Sequence, residues 1–143
     1  MELTANSNLN VIDTNARSSK AIWTGRVLSG LAVLFFLFDS VAKLARSAPS
    51  LKGTIELGFP ASSVVPIGII LLACTIVYLI PRVSIIGAVL LTGYLGGAVA
   101  AQLRAGNPIA THTLFPIYVA VLVWGGLFLR DARVRALFAR RRP

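Results

Sequence analysis

The sequence predicts an all-α fold: an integral membrane four-helix bundle with both termini in the cytoplasm. Three observations predict it. Hydrophobic residues make up 56% of the 143 residues and charged residues 13%, roughly half the charged share of a soluble domain. A chain this apolar, with a mean hydropathy of +0.79, carries more apolar surface than one soluble core of its size can bury. The apolar residues gather in four long runs, and the basic residues that give a net charge of +9 divide unevenly between the two sides that four crossings define. Together these exclude a disordered chain, a disulfide scaffold and an ordinary soluble enzyme. A pI near 11.2 would suggest nucleic acid in a soluble protein. In this chain the basic clusters lack interleaved aromatic or base-reading partners, so no nucleic acid is expected, and anionic lipid is the natural counterpart.

Residues 1–21, MELTANSNLNVIDTNARSSKA, are polar, rich in Asn and Ser, and lack the basic-then-apolar order of a signal peptide. They are read as a disordered tail, with the first apolar helix retained. Residues 22–131 form the membrane domain, with helices over about 22–44, 64–80, 83–102 and 112–129. At 1.5 Å per residue these runs cover about 25–35 Å, enough for a hydrocarbon core of about 30 Å. Strands of that length would leave open edges in lipid, and the alternation of a transmembrane barrel is absent. Pro81 stops the second helix, and the turn at Arg82 makes helices two and three an antiparallel hairpin. The longest connection, residues 45–63, carries Pro49, Gly53, Gly58 and Pro60 and has room for a short interfacial helix over about 50–57. Residues 132–143 are read as a basic cytoplasmic tail.

Orientation follows from counting Lys and Arg. The side of the termini and the Arg82 turn holds ten: Arg17, Lys20, Arg26, Arg82, Arg130, Arg133, Arg135, Arg140, Arg141 and Arg142. The other side holds four: Lys43, Arg46, Lys52 and Arg104. Ten against four puts both termini in the cytoplasm.

Ionisable residues in membrane helices are costly and therefore informative. Asp39 and Lys43 are four apart, share a helix face and can pair. With Gln102, Arg104 and His112 they are the candidate polar site, because the topology brings all five to the non-cytoplasmic end; Glu56 and Asn107 fall on the same side. His112, the one histidine, is placed at the start of the fourth helix, with Thr111 as a candidate cap and Pro116 in the first turn. One His and five acidic residues do not make a metal site, and the one cysteine, Cys74, forms no intrachain disulfide. Gly93, Gly97 and Ala101 recur every four residues, a spacing that lets helix backbones approach closely within the bundle or between copies of the chain.

The segments RVLSGLAVLFFLFDSVAKL, ELGFP, LTGYLGGAVAAQLRAGNP and HTLFPIYVAVLVWGGLFLRD resemble the DoxX-like family of small bacterial membrane proteins, over about residues 21–131. The resemblance implies a four-helix protein of the bacterial inner membrane. The family takes its name from a subunit of a thiosulfate:quinone oxidoreductase, so it also implies an association with membrane redox chemistry. It brings no catalytic residues with it, and Asp39, Lys43 and His112 stand on the reading of the residues alone.

Three functions are open to such a chain. A non-catalytic membrane subunit or scaffold needs only the helices and a protein partner. A quinone-linked oxidoreductase component would use the polar site as donors to a quinone carbonyl, with Lys43 and His112 as proton sources. A transporter or channel would need an oligomer. The first is the expected reading, with no reaction catalysed by the chain alone; the second is the alternative, with quinone as its cofactor.

Overall fold

The computed structural model describes residues 2–139, with side chains from Ser19 onward. Six α-helices follow one another: α1 (Glu2–Leu44), α2 (Ala48–Glu56), α3 (Val64–Leu79), α4 (Ser84–Arg104), α5 (Phe115–Arg130) and α6 (Ala132–Phe138). Among the described residues, four stretches are long and apolar enough to cross a membrane: Ser19–Leu44, Ala61–Leu79, Ser84–Arg104 and Ile109–Arg130. Their neighbours run in a ring, α1 beside α3, α3 beside α4, α4 beside α5 and α5 beside α1. One end of the bundle carries the start of the first span, the Arg82 turn and α6; it is called the terminal end. The other carries the two longer connections and is called the loop end.

Helix α1 departs from the expected boundary at residue 22, since its backbone is helical from Glu2. The physical reason is an absence of breakers. No Gly or Pro occurs between residues 2 and 24, and a helix that extends an existing one avoids the cost of nucleation. The expected tail at 132–143 also differs: Ala132–Phe138 is a short helix, with Val134 fully buried. Asp131 caps it by accepting from the Arg133 backbone N–H at 2.9 Å. The Arg133 guanidinium bonds the Asp131 carboxylate and reaches the Pro81 and Arg82 carbonyls of the α3–α4 turn, which fastens α6 across the terminal end. These bonds from Arg133 hold the Asp131 carboxyl below its ordinary value. Arg140, Arg141 and Arg142, which weigh in the orientation count, lie outside the described residues.

The core is built from Ala32 and Phe36 of α1, Leu71 and Tyr78 of α3, Ala88 and Leu91 of α4, and Val119, Val123 and Leu127 of α5. Outward-facing apolar residues such as Trp23, Phe38 and Val121 meet lipid. In the terminal half the helices touch through glycines. A Cβ on Gly25 would lie 2.8 Å from the Arg130 backbone N, one on Gly126 would lie 2.8 Å from the Ser29 backbone N, and one on Gly87 would collide with the Tyr78 backbone. The Tyr78 hydroxyl, buried with its ring, pairs with Ser29 Oγ at 2.9 Å and donates to the Val123 carbonyl at 3.0 Å, so one side chain ties α1, α3 and α5 together. In a hydrocarbon surrounding such a hydroxyl must find partners inside the protein.

Candidate functional site

At the loop end the helices are shaped by how they stop. Helix α1 ends with Arg46 in the left-handed region at φ 53°; Ser47 N–H reaches back to Ala42 O at 3.0 Å. Helix α4 ends at Gly106, φ 70°, where Asn107 N–H reaches Gln102 O at 3.2 Å. Both closures have the bond pattern of a Schellman motif. The second sets Asn107 over Gln102, and the Asn107 amide donates to Gln102 Oε1 at 2.5 Å. The last span begins as a π-helical turn over Ile109–Thr113, ahead of α5. His112 therefore sits in that turn and does not open α5, and Thr111 does not cap it. Pro108, Gly106 and Pro116 bracket the segment and break the regular helical register; Thr111 Oγ1 pairs instead with His112 Nδ1, at 2.8 Å.

These ends enclose a cavity of about 470 Å³, within the range of roughly 300–1,000 Å³ common for ligand pockets. Phe35, Phe36, Asp39 and Lys43 line it from α1, Ile67 and Ile70 from α3, Gly93, Tyr94, Gly97, Ala101 and Gln102 from α4, and Phe115 from α5; Leu57 and Phe59 roof it. The walls are mostly apolar and the polar groups gather at one end. Lys43 Nζ donates to Asp39 Oδ1, and both side chains are largely enclosed, at 16% and 29% exposure. The pair neutralises itself, while the ammonium keeps two further N–H donors and the carboxylate further acceptor positions. A second, more open chamber of about 720 Å³ lies above, lined by Ser47, Ser50, Glu56, Asn107 and His112. Asp39, Lys43 and Gln102 belong to both chambers.

Of the residues predicted for the site, Asp39, Lys43 and Gln102 line the cavity, and His112 lines only the upper chamber. Arg104 lines neither. Its Nη2 donates to the Gly58 carbonyl at 3.4 Å, and its guanidinium lies 5.9 Å from the Phe59 ring centre, so it holds the roofing loop. Helical geometry accounts for this: Arg104 is two residues past Gln102, about 200° around the axis.

Within the chain, Gly93 and Gly97 do not make the close helix contact that their spacing with Ala101 predicts; contact between copies of the chain is the other half of that expectation. A Cβ on Gly93 or Gly97 would meet nothing within 4 Å, and all three residues line the cavity. Close approach needs two smooth faces. Here Gly93 and Gly97 of α4 face no other helix. The glycines that do carry helix contacts are Gly25, Gly68, Gly87 and Gly126. Sequence reasoning also missed Tyr94 and the phenylalanines Phe35, Phe36 and Phe115. The signal for Tyr94 was its position eight residues before Gln102, about 80° around the helix and two turns along it.

Fold and cavity together define a small multi-pass membrane protein with a ligand-sized chamber at one end of a four-helix bundle. Comparison with protein families then places it: the model of the DoxX-like family matches residues 27–126, and the chain belongs to that family. No curated protein and no solved structure matches the chain.

Proposed function

We propose that the chain is a membrane subunit that holds a small amphipathic molecule of quinone type at its loop end and makes or breaks no covalent bond by itself. The observation that carries this reading is the cavity beside the Asp39–Lys43 pair. An apolar chamber of ligand size with a charge-neutral polar end suits an uncharged ring bearing carbonyl or hydroxyl groups. A free ion would lose its hydration there without a compensating net charge. Lys43 Nζ and the Gln102 amide N–H are the donors for a ring carbonyl; Tyr94 and the phenylalanines are its stacking walls. Electrons would come from a partner protein. His112, in the upper chamber, lies where protons from water would enter.

The Lys and Arg count supports an orientation with the loop end away from the cytoplasm, in a bacterial inner membrane. The test is mass spectrometry of organic extracts from detergent-purified protein, wild type beside Asp39→Asn. Near-stoichiometric quinone in the wild type, depleted in the variant, is expected. Trace quinone at equal levels in both would overturn the reading and leave a scaffold.

A further inference from the structure

The cavity has a side door, and its position says what kind of molecule enters. Helices α3 and α4 form a hairpin that is closed at its turn and open at its far end. At the turn, Gly87 brings α4 onto the Tyr78 backbone. Tyr94 and Ala101 follow Gly87 by seven and fourteen residues and so stay on the flank that faces α3, while Gly97 lies on the outer edge of that flank. At this edge Gly97 is exposed and without neighbours at the Cβ position, as is Gly93 further round the helix, and Ile70 on the α3 side is 54% exposed while still lining the cavity.

The other seams are bridged by side-chain or backbone contacts. Between α1 and α3, a Cβ on Gly68 would lie 2.9 Å from Lys43 Cβ. Between α1 and α5, the Phe35 and Phe115 rings meet edge to face at 5.3 Å. Between α4 and the last span, the Trp124 indole N–H donates to Thr92 Oγ1 at 2.8 Å at the deep end of the cavity, and the Ile109–Thr113 turn packs on α4 at the loop end. The seam that remains opens well inside the spans Ala61–Leu79 and Ser84–Arg104, at a depth where the surroundings are acyl chains, not water.

We propose that the occupant is a bilayer-dissolved amphiphile whose tail leaves the cavity between α3 and α4, past Ile67, Ile70, Gly93 and Gly97, while its uncharged ring sits at Asp39, Lys43 and Gln102. This rests on the ligand-binding reading above and adds the route and the tail. A water-soluble ring without a tail would fill the polar end and leave the seam empty. The absence of side chains at Gly93 and Gly97 then has a purpose: the backbone of α4 becomes a smooth floor on which a tail lies.

The test uses the full chain in lipid nanodiscs and two probes, a decyl-tailed benzoquinone and the same ring without the tail. Gly97→Leu closes the seam from α4, and Ile70→Trp closes it from α3, so that a variant that fails to fold leaves the other. Each is expected to weaken the tailed probe about tenfold or more, the equivalent of two or so methylenes left unburied, and to change the tail-less ring less than about threefold. Asp39→Asn is expected to weaken both probes alike. Seam variants that leave the tailed probe unchanged, or weaken both probes equally, would overturn the tail route and leave the cavity reading standing. A wild type that binds neither probe overturns the cavity reading itself. A wild type that is dimeric and becomes monomeric in Gly97→Leu overturns the route in favour of a second copy covering the seam.

Discussion

The two halves of the bundle use the same residue type for opposite ends. In the terminal half, Gly25, Gly87 and Gly126 remove side chains so that helices can touch, and the Tyr78 hydroxyl binds three helices at once. In the loop half Gly68 still packs α3 on α1, but Gly93 and Gly97 of α4 remove side chains and no protein atom comes to fill the space. The difference lies in what faces the glycine. Opposite Gly87 is the bare backbone of Tyr78; no protein atom lies within 4 Å of a Cβ on Gly97. A glycine permits close approach, and the partner surface decides whether it happens. One half is thereby a clamp and the other a chamber.

The contrast is broken most severely at Gly87. A single methyl there collides with backbone that cannot step aside, so Gly87→Ala is expected to destabilise the protein by about 2–3 kcal/mol, as overpacking does. Gly97→Ala meets no atom and improves helix propensity, so it is expected to gain about 0.5–1 kcal/mol. Unfolding in mixed micelles, followed by the Trp23 and Trp124 fluorescence, compares the two. Equal effects would mean that both halves pack alike.

Tyr78→Phe removes the hydroxyl shared by Ser29 and the Val123 carbonyl and leaves those groups without it. A loss of about 1–2 kcal/mol is expected in the same unfolding assay, and no change would show that the clamp does not depend on that hydroxyl. Asp39→Asn, at a partly enclosed pair, is expected to cost about 1 kcal/mol or less of stability, while ligand retention falls sharply. A variant that loses stability and keeps its ligand would reverse the roles assigned to the chamber.

The smallest effect concerns α6. The Asp131 carboxyl titrates lower in the folded protein than in the unfolded chain because Arg133 bonds it. Its contribution is therefore present above the ordinary carboxylate value, near pH 4, and is lost as pH falls through the lowered folded value. Cleavage by an acid-active protease should rise at the α5–α6 junction as pH drops below about 4. In Asp131→Ala, which lacks the cap, that rise should be absent and cleavage already high at neutral pH. A pH-independent wild type would show that α6 is held without the Asp131 carboxylate, by Val134 and the bonds from Arg133 to the Pro81 and Arg82 carbonyls.

Much of this architecture was legible in the sequence. Four apolar runs and the Pro81 stop predict the spans and the hairpin, because length and apolarity are what a bilayer requires of a helix. Asp39, Lys43 and Gln102 were legible as a group, since topology alone carries them to one end. Arg104 was misplaced because the end of the bundle is known from topology while the face of the helix is set by the Gln102 register. The glycine row makes no close contact within the chain because spacing describes one helix and packing needs two. The start of α5 was misread because a π-helical turn has no sequence period of its own; only Gly106, Pro108 and Pro116 hinted at irregular backbone.

The central claim is that the loop half holds a ligand and the terminal half does not. It is tested most directly by photolabelling the reconstituted protein with a tailed benzoquinone carrying a diazirine on its ring, then mapping the labelled peptides by mass spectrometry. Labels are expected on residues 35–43 and 93–102, displaced by unlabelled tailed quinone. Labels centred on residues 25–29, 76–88 or 123–134, or labels that excess quinone does not displace, would contradict it.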